Sequence, residues 1–182
     1  MAEEFDLMTV PGLISPDERE LLRETCAKAV DIFGPHVVLV NIGIYLGGSC
    51  YCMRAGAPEA TLIGADVNGW DLVQGERDIL NMTLLQGDSK ETHKSVTVPV
   101  HVMFVDGDHS YRGVKADILN WVRPFVIEGG YVIFHDAFYE KSSSFYNAHK
   151  GITQAIEEMI VPYPRWEEQK QVDSTRWFRR IE

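Results

Sequence analysis

A chain of 182 residues, 45% hydrophobic and 24% charged, suits one globular domain with a single core that needs no disulfide or metal staples. Its 27 acidic against 17 basic residues give a formal charge of -10, which repels phosphate backbones and argues against nucleic acid or an anionic membrane as partner. No stretch approaches the roughly 18–20 consecutive apolar residues of a membrane span, and the acidic start MAEEFDLM lacks the basic and apolar regions of a secretory signal, so a cytoplasmic location is expected. Three cysteines, Cys26, Cys50 and Cys52, form neither a disulfide framework nor a paired zinc motif and read as buried thiols.

In chain order, residues 1–14 read as irregular. Ser15-Pro16-Asp17-Glu18 then signals a helix start: Ser15 can cap, Pro16 suits the first helical position, and Glu18 completes a capping box. Leu22, Cys26, Ala29, Val30 and Phe33 follow at helical spacing, so this helix should pack on the sheet edge or on a partner chain before Gly34-Pro35 ends it. Val37 to Asn41 is the first buried strand, running into Ile42-Gly43-Ile44-Tyr45-Leu46-Gly47-Gly48-Ser49. Glycines in a strand-to-helix turn let backbone approach a ligand and leave helix amides free to bind it, although G-x-x-x-G-G differs from the dinucleotide fingerprint and also suits a plain tight turn.

Thr61 to Asp66 is a second strand, and its terminal acid is placed to accept hydrogen bonds from ribose hydroxyls or to cap a helix starting near Gly69. Met82 to Leu85 reads as a third strand, with Gln86-Gly87-Asp88-Ser89 at its end facing a cofactor base. Two further apolar runs stop abruptly at polar residues. Val100 to Val105 breaks at Asp106-Gly107-Asp108-His109, and Gly130 to Phe134 breaks at His135-Asp136. In an open α/β sheet, ligands bind at the carboxyl ends of the strands, so neighbouring strands here would gather carboxylates and imidazoles at one rim, a composition suited to a divalent cation beside a general base. Taken singly, Asp106 and Asp108 could cap the next helix and His135 could be structural.

Between these runs, Val114, Ile118, Trp121, Val122 and Phe125 form a helical core stripe, which Gly129-Gly130 separates from the next strand. Residues 138–150, FYEKSSSFYNAHK, read as a loop over the site. Ile152, Ala155, Ile156, Met159 and Ile160 mark another amphipathic helix, and Trp166 to Val172 with Thr175 to Ile181 form a terminal hairpin. The fold class expected is α/β: three layers, with a mainly parallel sheet and an antiparallel C-terminal hairpin, in one domain over 1–182 with residues 1–35 as a helical lead-in.

NIGIYLGGS, IGADVNGW, LLQGDS, FVDGDHSYRGVKADI and EGGYVIFHDAF together resemble the class I S-adenosylmethionine-dependent methyltransferases, nearest the macrocin O-methyltransferase-like small-molecule group, from about Pro11 to the end. The resemblance implies a Rossmann-like seven-stranded sheet with strand 7 antiparallel. It implies S-adenosylmethionine as cofactor, with Gly43, Gly47 and Ser49 beside its methionine and ribose parts, Asp66 on the ribose hydroxyls, Asp88 and Ser89 at the adenine, and Asn41 and Asp106 at the neighbouring strand ends. In metal-using relatives magnesium or another divalent cation is held at positions matching Asp106, His135 and Asp136, and His109 matches the general base. Two positions depart from the pattern. Asn41 stands where most relatives carry an acid, and His135 replaces a carboxylate or small residue, which implies a mixed oxygen–nitrogen site open to manganese, iron or zinc. The chain adds little to the core fold, so substrate coverage falls to residues 138–150 or to a second subunit of a homodimer.

The reading is therefore metal-assisted O-methylation of a small-molecule acceptor, in which the cation stabilises the alkoxide and His109, with Asp106, takes the proton. Two alternatives stand beside it: a non-catalytic S-adenosylmethionine-binding module, and a metal-independent methyltransferase in which His109 and His135 act on a phenol or amine.

Overall fold

A computed structural model describes residues 9–68, 80–140 and 142–182. The helix expected from near Gly69 falls mostly within 69–79, outside the described residues, as do residues 1–8 and Lys141.

Seven strands form one sheet in the order β3-β2-β1-β4-β5-β7-β6. They are β1 (Val38–Ile42), β2 (Thr61–Asp66), β3 (Met82–Gln86), β4 (Val100–Val105), β5 (Val126–Phe134), β6 (Trp166–Glu168) and β7 (Arg176–Arg180). The first five pair in parallel, whereas β7 runs antiparallel to both β5 and β6. Buried parallel strands need apolar side chains on both faces, which is why β1 and β4 read as continuous apolar runs. Leu39, Val102 and Phe104 pack into one core layer while Val40, Met103 and Val105 pack into the other. The three-layer architecture with its antiparallel hairpin is the one expected. No helix among the described residues is long and apolar enough to cross a membrane.

Helix α1 (Pro16–Phe33) starts at the predicted capping box, with the Ser15 side chain accepting from the Glu18 amide and the Glu18 side chain accepting from the Ser15 amide. Its position differs from the expectation of a sheet edge or partner chain. Leu22, Cys26 and Ala29 lie fully buried over the middle of the sheet, in one cluster with Leu39, Phe104 and Ile133. Helix α2 (Gly48–Gly56) lies beside it, at a distance set by Gly56, whose Cβ would come within 2.1 Å of the Arg23 carbonyl oxygen. The three cysteines are free and buried in this layer, and burial pushes the Cys50 and Cys52 thiols up to about 12.

On the opposite face, β3 leads into the short α3 (Ser89–Thr92), and α4 (Tyr111–Asp117) follows β4. The expected stripe is interrupted: Ile118–Val122 is a π-helical turn before α5 (Arg123–Phe125). Pro124 cannot donate to the carbonyl four residues back, and the Arg123 amide bonds Ile118, five back, instead. Strand β5 begins four residues before the predicted Gly130, at Val126, and runs through Gly129-Gly130, with a register shift against β4 between Val100 and Val102. Helix α6 (Tyr146–Met159) takes in the last part of the expected 138–150 loop and buries Ile152, Ala155, Ile156 and Met159 as predicted.

Candidate active site

Strands β1 to β4 release their chains at one edge, and a cavity of about 410 Å³ opens there, lined by residues that include Gly43, Tyr45, Asp66, Asp88, Ser89 and Asp106. That volume suits a nucleoside-sized ligand. Gly43 has φ +81, and a Cβ on it would lie 2.0 Å from the Asp106 carbonyl oxygen, so the turn after β1 and the end of β4 touch through bare backbone. The turn is fastened to β2 by Asp66. Its Oδ2 accepts from the Ile44 and Tyr45 amides at 2.8 and 3.3 Å, and its Oδ1 accepts from the Asn68 amide at 2.9 Å. A carboxylate has about four acceptor sites, so capacity for ligand hydroxyls remains.

The adenine-side residues of the resemblance form the opposite wall. Asp88 caps α3 by accepting from the Lys90 amide. Ser89 is clamped from behind, donating from its hydroxyl to Asp117 Oδ1 at 2.6 Å and accepting at its carbonyl from Trp121 Nε1 at 2.8 Å. Asn41, Gly47 and Ser49 lie outside the residues that line this cavity. Asn41 is fully buried and donates to Ser49 Oγ at 2.6 Å and Cys50 Sγ at 3.0 Å, tying β1 to α2. Gly47, at φ +82, is the left-handed cap of α2.

Next to the cavity, the ends of β4 and β5 carry a connected rim of titratable groups. Asp106 Oδ1 lies 3.1 Å from His109 Nε2 and 3.2 Å from His135 Nδ1. The other nitrogen of His135, Nε2, lies 3.2 Å from Glu18 Oε2, and Glu18 Oε1 accepts from the amide and hydroxyl of Ser174 at 3.0 and 2.7 Å. Asp136, in a left-handed conformation at φ +51, turns its carboxylate to the same place, with Oδ1 accepting from the Tyr139 hydroxyl at 2.6 Å. Its Oδ2 lies 3.6 Å from His135 Nδ1, 3.8 Å from His109 Nδ1 and 3.4 Å from His149 Nε2.

These pairings set the charges. Burial alone would lower the His135 pKa, but its hydrogen bonds to Asp106 and Glu18 outweigh it and raise the value to about 10. Burial would likewise raise Glu18, yet His135, Ser174 and Ser15 hold it at about 2. Asp106 is lowered, because the hydrogen bonds from His109 and His135 overcome its desolvation. The bond to Asp106 raises His109 despite its partial burial.

The expected cation set is thus brought together, with one ligand atom each from Asp106, His135 and Asp136 within 4.8 Å of one another. As arranged, however, both nitrogens of His135 face carboxylates at hydrogen-bond distance. A cation there would have to displace the proton that His135 shares with Asp106.

Glu18, Tyr139, His149 and Asp117 were not among the predicted site residues. For Glu18 the capping box was the visible signal, and it conceals the second role because the same side chain serves both. His149 lay inside the segment marked as a loop over the site, with nothing local to single it out.

The sequence profile of a family described as a methyltransferase domain matches residues 40–137. No protein of curated function matches the sequence. Among solved structures, the chain is similar to an O-methyltransferase from Bacillus cereus in complex with SAH, at 16% identity and TM-score 0.70, covering 95% of this chain and 86% of that one. It is similar also to the SAH-bound methyltransferase PaMTH1 of Podospora anserina (14%, TM-score 0.70, 93% and 80% covered). A third is the O-methyltransferase TomG of Streptomyces achromogenes, involved in tomaymycin synthesis and solved with SAM (13%, TM-score 0.68, 93% and 82% covered).

Proposed function

The chain belongs to the methyltransferase-domain family, and from that premise we propose that it transfers the methyl group of S-adenosylmethionine to a hydroxyl oxygen of a small molecule. The observation that carries this reading is the adjacency of cavity and rim: Asp106 lines the one and anchors His109 in the other. A cofactor seated along Gly43 and Asp66 would bring its sulfonium methyl towards that rim. The sulfonium is itself the electrophile, so the protein's part is to bind, align and remove a proton.

His109 is placed to do the last. Its Nε2 faces Asp106, a carboxylate that can only accept, so this nitrogen carries the ring proton and Nδ1 keeps a lone pair turned to the rim. An acceptor hydroxyl there would lose its proton to Nδ1 as attack begins, and Asp106 would stabilise the imidazolium. His135, held between Asp106 and Glu18, keeps Asp106 ionised and in position. The family resemblance implies a cation that would stabilise an alkoxide at this edge; His135, hydrogen-bonded at both nitrogens, does not suit the expected set for it, and no step here depends on one.

Calorimetry with S-adenosylhomocysteine tests the reading. Wild type should bind, and Asp66→Ala should weaken binding by about 1.5–3 kcal/mol, the size of charge-assisted hydrogen bonds. Absence of binding by wild type at millimolar ligand would remove the methyl-transfer reading.

A further inference from the structure

We propose that His109, His149 and Asp136 form a binding site for a divalent transition-metal cation, displaced outward from the Asp106–His135–Asp136 set that the family resemblance implies. One ligand atom from each of the three lies within 4.8 Å of the others. The two imidazole rings are 5.1 Å apart, with His149 Nε2 at 3.4 Å and His109 Nδ1 at 3.8 Å from Asp136 Oδ2. Bonds of about 2.0–2.2 Å to a four-coordinate ion put donor atoms about 3.3 Å apart, so the two contacts to Asp136 Oδ2 exceed that spacing by no more than about half an ångström.

The groups behind the donors decide which atoms are free. His149 Nδ1 lies 2.9 Å from the Phe145 carbonyl oxygen, which can only accept, so the proton sits on Nδ1 and the Nε2 lone pair points at Asp136. Asp106 does the same for His109 from the other side, leaving Nδ1 as donor. The Tyr139 hydroxyl occupies Asp136 Oδ1 and leaves Oδ2 at the point of convergence, while the Tyr139 ring stacks on His149 at 5.0 Å. Acceptors behind each imidazole and a donor behind the carboxylate form the outer shell that orients metal ligands. With these tautomers, two nitrogen lone pairs and a carboxylate oxygen face one another, an arrangement a cation resolves. His135 has no such free nitrogen.

Two imidazoles and one carboxylate suit zinc, cobalt, manganese or iron better than magnesium, and three protein donors leave an open position. The use of that position by an acceptor hydroxyl rests on the methyl-transfer reading; the existence of the site does not. Proton and cation compete for His109 Nδ1, so His109 is a base in the metal-free protein and a ligand in the loaded one.

The test is a titration of chelator-treated protein with Co²⁺, without cofactor, followed by visible absorption and calorimetry. Expected are a 1:1 complex, displacement by Zn²⁺ and indifference to millimolar Mg²⁺. Outer-shell losses typically cost ~10–100-fold in affinity, so His149→Ala and Asp136→Asn, which remove ligands, should each cost roughly 100-fold or more, and His135→Gln less than about tenfold. His149→Gln, which keeps a side chain against Tyr139, should lose as much as His149→Ala if the loss is one of ligation. No Co²⁺ complex in wild type overturns the site. So does wild-type affinity in both His149 variants with loss in His135→Gln, which would return the cation to the inner set. S-adenosylhomocysteine binding measured on the same samples keeps the two readings apart: its absence beside an intact Co²⁺ complex removes the methyl-transfer reading and leaves the site standing.

Discussion

The cavity at the ends of β1 to β3 and the rim at the ends of β4 and β5 adjoin at Asp106, yet they are built from different materials. The cavity is shaped by backbone: a glycine turn pressed against the Asp106 carbonyl and held by amides that donate to Asp66. The rim is shaped by side chains that hold one another, in a chain from Glu18 through His135 and Asp106 to His109. Backbone walls are indifferent to pH and intolerant of an added methyl. A side-chain network tolerates changes of shape and responds to every change of charge. Each half should therefore fail by its own route.

The largest effect is expected at the rim. In chelator-treated protein His109→Ala should lose roughly 10²- to 10⁴-fold in turnover while S-adenosylhomocysteine binding stays nearly unchanged. Because Asp106 raises the His109 pKa, the wild-type rate should climb with pH through an ionisation above the ordinary 6.5, the base being active only once deprotonated. A variant with wild-type turnover, chemistry being rate-limiting, would leave His109 as a turn residue.

Glu18→Ala should come next, seen in stability. It leaves a buried imidazole facing an empty site, and breaking a buried pair costs about 3–5 kcal/mol. The pair's own pH dependence has two limbs. Glu18 lies at about 2 against 4.5, so its contribution is present above about 4.5 and is lost as pH falls towards 2. His135 lies at about 10 against 6.5, so its contribution is full below about 6.5 and is lost as pH rises through 10. Denaturant midpoints should show a plateau between these limbs in wild type, whereas the variant should lose the acid limb and keep a reduced alkaline one, because Asp106 and Asp136 still raise His135.

How legible each half was in the sequence follows from the same contrast. The strand ends could be read because a buried parallel strand is an apolar run, and Val105 to Asp106 or Phe134 to His135 is an unmistakable break. Gly43 and Asp66 were legible as a turn and a strand-end acid within one stretch of chain. The rim draws on four separated segments, and Glu18 and His135 are 117 positions apart with nothing local to couple them. Two element ends were hidden for identifiable reasons. Helix α6 starts at Tyr146 with no side-chain cap, so it gave no start signal, and Gly129-Gly130 looked like punctuation although β5 passes through it, Gly129 at φ +80.

On the cavity side, Gly43→Ala should act through backbone alone. The new methyl would meet the Asp106 carbonyl, and alanine disfavours φ +81, so a loss of roughly 2–4 kcal/mol is expected with cofactor binding falling alongside. Unlike Glu18→Ala, its cost should be the same across the pH range. A pH-dependent cost would mean that the turn is coupled to charged groups, either the Asp66 carboxylate that holds it or those of the rim.

The smallest effect should come from Asp117, the titratable group behind the cavity wall. Its carboxyl is 1% exposed, with Oδ1 accepting from Ser89 and Oδ2 lacking a partner among the described residues. Burial pushes its pKa up to about 6 from 3.8, against the lowering effect of the Ser89 bond. Between those values the folded protein keeps a proton that the unfolded chain has released, so stability falls as pH rises through this window. The substitution Asp117→Asn removes that titration while its amide oxygen can still accept from Ser89. Its stability relative to wild type should therefore improve by roughly 2 kcal/mol between pH 4 and pH 7. Denaturation curves of the two proteins at both pH values measure that difference directly. Parallel curves would show that the Asp117 carboxylate finds a donor above pH 6, and the wall behind Ser89 would then be as insensitive to charge as the glycine turn across the cavity.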